Sequence, residues 1–252
     1  MLNDFQIIDA KLDTLDEVRL YPIGDVHIGS KECDLDHFRE FTKMIANDPC
    51  ARVVIIGDMM NMGLKNSLSN VYEETLSPME QKEVCYELLE PIKDKIIGGC
   101  SGNHEYRMVK EVGTNPLYDV FCRLHIEDKY RENVCFMKLS VGSYRGRPNT
   151  YGVVLTHGKS KKKDADWTYA VDGADVFISG HTHLGTHQPM SKIRMDLIHN
   201  NVKTVDYQHI VVLPWQQYGG YAVRNKYLPN TTGYYQCITF DGTTKKVRYS
   251  YV

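Results

Sequence analysis

Five short runs of β-branched and aliphatic residues break off in the same manner, each into a glycine or histidine and a cluster of polar side chains. They are VRLYPIGDVH, ARVVIIGDMM, KIIGGCSGNHE, YGVVLTHGKS and ADVFISGHTH. Each has the unbroken apolar character of a strand covered on both faces and stops at a turn, which predicts five neighbouring strands. Between the first three lie segments with helical spacing. Leu35 to Asp48 repeats Phe38, Phe41, Met44 and Ile45, and Pro78 to Asp94 opens on a proline and carries Val84, Leu88, Leu89 and Ile92 on one stripe. Strand, helix, strand, helix, strand predicts an α/β architecture.

Beyond Ile193 the texture turns alternating and aromatic, in VKTVDYQHIVVLPW and GYYQCITFDGTTKKVRYSYV, the latter with the hairpin signal Asp241-Gly242. These segments predict antiparallel strands that form a second sheet. No repeat or proline-rich linker interrupts the 252 residues, and 42% apolar content suffices for a large core, so residues 1–252 are expected to make one domain. There is no apolar run long enough to cross a bilayer, and acids break the opening MLNDFQIIDAKLD where a signal peptide would be apolar. A cytoplasmic protein without a membrane partner is expected. The seven cysteines lack C-x-x-C spacing and read as reduced, and a net charge of −2 advertises no global basic field.

The polar residues at the strand ends are Asp25 and His27, Asp58, Asn103 and His104, His157, and His181 and His183. The carboxyl ends of strands in an α/β sheet share one edge, so these eight groups are expected to meet. Gly24, Gly57, Gly102 and Gly180 precede four of the five groups, as sharp turns with unusual dihedrals require. Imidazoles, carboxylates and a carboxamide in this number exceed one ion's needs and lack the thiolates of structural zinc. Two adjacent divalent ions suit the set, with Asp58 as a bridging carboxylate.

The series D-x-H, G-D, G-N-H-[DE], H and G-H-x-H in this order resembles the calcineurin-like metallophosphoesterases over about residues 18 to 185. The resemblance implies a four-layer αββα sandwich, two mixed β-sheets flanked by helices. It implies one ion held by Asp25, His27 and His183, a second by Asn103, His157 and His181, and Asp58 shared between them. His104 takes the place of the family's catalytic histidine, working with Asp58 and Asn103. The implied reaction is hydrolysis of a phosphate ester by in-line attack of a metal-bridging hydroxide. Manganese leads among the candidate ions, with iron, zinc and nickel as alternatives.

Protein phosphatases of this superfamily carry an acid and then an arginine shortly after the G-D motif, where this chain has Asn61 and Met62. A diester carries one negative charge fewer than a monoester dianion and needs less arginine clamping. A phosphodiesterase or nuclease is therefore the leading reading, with nucleic acid or a nucleotide as candidate substrate. A phosphomonoesterase acting on a small molecule or a protein is the alternative, and a non-catalytic scaffold a third. Arg107, Asn61 and Lys159 are the candidate substrate contacts, Lys159 as part of a basic rim with Lys161, Lys162 and Lys163, against a solvated lysine loop, which is slightly favoured, and an ordinary salt bridge for Arg107. Glu105 is expected to organise its turn, and His187 to lie outside the ligand set. Residues Met59 to Asn70 look like a mobile rim loop whose methionines could adapt to ligands, with plain packing as the default reading, and Trp215, Tyr218, Tyr221 and Tyr227 read as core or interface. A homo-oligomer is left open.

Overall fold

The computed structural model describes residues 4–65, 67, 71–144, 146–229 and 233–252, without the side chains of Tyr144 and Tyr221. Two six-stranded mixed sheets form its centre. The first holds β2 (Glu17–Ile23), β3 (Ala51–Ile55), β4 (Ile96–Cys100) and the short β5 (Tyr130–Arg131) in parallel, extended antiparallel by β11 (Gln236–Asp241) and β12 (Val247–Tyr251). The second runs in the order β1 (Ile8–Leu12), β6 (Val134–Tyr144), β7 (Arg147–Thr156), β8 (Val176–Ser179), β10 (Asn201–Val211) and β9 (His187–Asp196).

The period of two along each strand sorts side chains into layers. Leu20, Val54 and Ile56 point into the space between the sheets, where they meet Leu139, Leu155 and Ile178. Tyr21, Val53 and Ile55 point the other way, onto helices α1 (Leu35–Asn47), α2 (Pro78–Leu89) and α4 (Pro116–Arg123). On the far face of the second sheet Val154, Phe177 and Tyr207 pack with Trp167 of α5 (Lys161–Thr168). The layers are therefore helix, sheet, sheet, helix. Helix α3 (Asn103–Val112) starts at the strand-end edge, and α6 (Gly220–Arg224) is a single turn.

Local signals account for the helix ends. Ser77 caps α2 and Glu80 closes a capping box behind Pro78. The stripe predicted to Asp94 stays helical only to Leu89 and tightens into a 3₁₀ turn over Glu90–Lys95, because Pro91 has no N–H to continue the α pattern.

Three expectations change. The five ligand-bearing strands are not all neighbours: β2, β3 and β4 lie in one sheet, β7 and β8 in the other. Nor does the aromatic carboxyl-terminal part make a sheet of its own, since β9 and β10 join β8 while the Asp241-Gly242 hairpin joins β2. Apolar strand patterns report burial, and burial is the same in either sheet. The rim-loop reading gives way to its default of plain packing, since Met59, Met60 and Met62 are fully buried in the helix-side core. Residues 66 and 68–70 of that segment lie outside the described residues.

Candidate metal centre

The site lies where both sheets end. The loops after β2, β3 and β4 bring Asp25, His27, Asp58, Asn103 and His104 from one side, and those after β7 and β8 bring His157, His181 and His183 from the other. Backbone hydrogen bonds lace these loops together: Asp25 N to Gly57 O, His27 N to Asp58 O, Gly180 N to His157 O, and Trp215 N to Asp25 O. The expected unusual dihedrals fall chiefly on the ligands. Asp25 (φ 53°), His27 (53°), Asp58 (49°), His181 (67°) and His183 (55°) are all left-handed, a conformation that costs a non-glycine residue about 1–3 kcal/mol. Of the four flanking glycines only Gly57 has positive φ. Gly102 serves close approach instead, because a Cβ there would collide with Asp58.

Donor atoms gather in overlapping threes: Asp25, His27 and His183; His27, Asp58 and His104; Asp58, His157 and His181, within 4.8 Å inside each group. Asp58 Oδ2 is 3.1 Å from His157 Nε2 and 4.0 Å from His27 Nε2, between the two outer groups. His27 Nε2 faces His183 Nε2 at 3.3 Å. Two nitrogens bound to one ion at about 2.0–2.1 Å, with tetrahedral to octahedral angles, stand about 2.8–3.4 Å apart. Asn103 Oδ1 lies 3.0 Å from His157 Nε2 and 2.7 Å from His181 Nδ1. The donor set fits two divalent ions.

The electrostatics ask for positive charge here. Asp25 and Asp58 are buried, yet their histidine neighbours, His183 for Asp25 and His157 for Asp58, hold both carboxyls below their usual range against the cost of burial. Burial opposes a charge on His157 too, but Asp58 carries it up to about 10. Burial and the nearby His104 push His27 down to about 3, which favours its neutral ring, the form a metal ion takes.

A second layer of polar groups orients these rings. His157 Nδ1 donates to the Ile56 carbonyl at 2.8 Å, leaving Nε2 toward Asp58. His104 Nδ1 donates to the Asn61 carbonyl at 2.6 Å, and its Nε2 lies 3.7 Å from Asp58 Oδ2. The Asn61 amide, a candidate substrate contact, is turned inward: Oδ1 takes His27 Nδ1 at 3.2 Å and Nδ2 donates to Glu74 at 2.5 Å. Gln81 donates to the other Glu74 oxygen at 2.8 Å and accepts from Met62 N. Glu105 accepts from four backbone N–H groups, those of Asp58 and Gly102 on Oε2 and Met59 and Met60 on Oε1, at 2.8–3.2 Å. Burial and the nearby Asp58 push its carboxyl up to about 7, against those donors.

No protein-family model matches the chain, and no curated protein matches it. Solved structures do. Zinc-complexed Vps29 from Entamoeba histolytica matches 93% of this chain over 98% of its own at 11% identity, with a TM-score of 0.40. The calcineurin-like phosphoesterase YfkN from Bacillus subtilis matches 93% over 90% at 10% identity and 0.43. The NAD nucleotidase NadN of Haemophilus influenzae matches 94% at 9% identity and 0.46, and the chain spans about half of it, 49%.

Of the remaining candidates, Arg107 lies on α3, where burial lowers its guanidinium and Asp58 and Glu74 oppose that. Lys159 is exposed past His157, its N–H bonded to Asp164 at 2.8 Å. Lys161, Lys162 and Lys163 form the first turn of α5 rather than a loop, adding charge to a helix end that is already positive. His187 stacks on Tyr249 at 4.2 Å, and Trp215 packs among His37, Phe38, Phe41 and Tyr235. Tyr218 donates to the Tyr227 carbonyl, and the Tyr221 side chain lies outside the described residues. Glu74 and Gln81 escaped the sequence reading, and no local motif marks them.

No described helix is long and apolar enough to cross a membrane.

Proposed function

We propose that this chain is a phosphoesterase that depends on two divalent metal ions and prefers phosphodiesters. The observation that carries the reading is Asp58, a buried carboxylate standing between two groups of imidazole and carboxylate donors. A pair of divalent ions bound between those groups would supply an acidified water and charge neutralisation at the phosphate oxygens. His104 presents Nε2 to the same space, where it can donate a proton to a departing alkoxide. Asp25, His27 and His183 hold one ion, and Asn103, His157 and His181 the other. Manganese is the ion we expect.

The diester preference is supported by what stands after Asp58. Met62 is fully buried, so that loop brings no guanidinium to clamp a dianion. Arg107 and Lys159 remain for the substrate, with nucleic acid or a nucleotide the class in view. One cytoplasmic domain is part of the same proposal.

Chelator-treated protein resupplied with manganese should hydrolyse bis-p-nitrophenyl phosphate with higher kcat/KM than p-nitrophenyl phosphate, and neither without metal. A monoester preference would reverse the substrate order. Inactivity on both, with ions demonstrably bound, would leave a scaffold.

Glu74 tests the orienting layer. It holds Asn61, which holds His27 Nδ1, and loss of such outer partners typically weakens metal binding by about 10–100-fold. Glu74→Ala should show that loss in calorimetric titration of the stripped protein. Unchanged affinity would mean His27 is fixed by its backbone alone.

A further inference from the structure

Strands β9 and β10 form a hairpin longer than the sheet that carries it. Strand β8 pairs with β10 only over Gln208–Val211, so the ribbon made by residues 190–196 and 201–207 runs on as two strands, about 20 Å at the usual rise per residue. Because β9 leads away from the His183 loop, the tip lies at the opposite end of the sandwich from the metal centre.

The two faces of this ribbon differ. The register pairs Ile193 with Thr204 and Met195 with Val202, which places these four on one face, the same face as His187 stacked on Tyr249. The other face carries Lys192, Arg194 and Lys203, and their charges are met locally, by Asp172 for the first two and Asp196 for the third. Ile193, Met195 and Val202 expose 77%, 69% and 67% of their surface, and Leu197 and Ile198 at the tip 84% and 90%. A lone two-stranded ribbon is marginal in water. Toward the tip, beyond Ser191 and the Asp206 it bonds, this face carries no charge, and an exposed apolar surface of that kind calls for a cover.

We propose that this hairpin is a dimerisation arm whose apolar face packs against the same face of a second copy of the chain about a twofold axis. Two features select a second copy over a different partner. Asp206, bonded to Ser191 Oγ at 2.6 Å, stands at the inner end of this face, and the outer part made by Ile193, Met195, Val202 and Thr204 carries no charge, so that part meets itself without repulsion, as a twofold contact demands. With Leu197 and Ile198 of the turn drawn into the contact beside the three apolar side chains of the face, the two copies bury on the order of 1,200 Å² together, the lower edge of stable specific pairs. Pro189, Lys192 and Arg194 on edge strand β9 disfavour the competing edge-to-edge pairing.

Sedimentation equilibrium over a concentration series should give twice the 29.0 kDa chain mass. Ile193→Lys sets like charges against each other near the axis and should raise the dimer dissociation constant by more than about tenfold, with Ile193→Leu close to wild type. Ile193 and Leu197 are exposed in the single chain, so variants at either should leave circular dichroism unchanged, and activity per chain too, because the arm is remote from the metal centre. A wild-type chain that stays monomeric throughout would overturn the proposal, as would a dimer that Ile193→Lys and Leu197→Ser leave intact.

Discussion

Replacing His104 by alanine is expected to slow phosphate-ester hydrolysis by about 10²–10⁴-fold, the usual worth of a positioned proton donor, without changing how many ions bind. The ring is held from behind. Its Nδ1 donates to the Asn61 carbonyl and its backbone N–H to Asp58 Oδ1 at 2.8 Å, so Nε2 faces the pocket with little freedom to turn away. The two outer donor groups, Asp25 with His27 and His183, and Asp58 with His157 and His181, keep every ligand when His104 is removed. Metal content by elemental analysis and kcat on one sample separate the roles. A loss of bound metal alongside activity would make His104 a ligand in the middle group it shares with His27 and Asp58.

The second large effect is on stability. Glu105 is fully buried and satisfies four backbone N–H groups in the two turns that place Asp58 and Asn103. An orphaned buried donor costs about 1–3 kcal/mol, so Glu105→Ala should lose upward of about 4 kcal/mol, a size rare for one substitution. Glu105→Gln keeps one oxygen for two of the donors and sets an NH₂ against the other pair, which predicts an intermediate loss. Urea unfolding midpoints at constant slope measure both. An alanine variant within 1 kcal/mol of wild type on the same scale would show that water replaces the carboxylate and that Glu105 does not build the turns.

Much of the donor set was legible because each piece is local. A strand pattern followed within four residues by Asp58 or by His181 and His183 can be read without knowing what lies across the cleft. The orienting layer was not legible for the opposite reason. Asn61 looks like a loop residue facing substrate until its bonds to His27 and Glu74 are seen, and Glu105 shows as a bridge only once Asp58, 47 positions earlier, lies against it. The methionines after Asp58 are ambiguous in the same sense, since a flexible apolar side chain suits a rim or a core equally.

From its residues alone the five ligand-bearing strands, the helices between the first three, and the donor groups at the strand ends follow, because periodicity and turn chemistry act over a few positions. Which sheet receives each strand, which side chains hold the imidazoles in place, and that the left-handed turns fall on the donors themselves were decided by tertiary packing. Those outcomes depend on contacts between segments tens to more than a hundred positions apart, such as His157 with Ile56, and no local pattern encodes which distant partner will arrive.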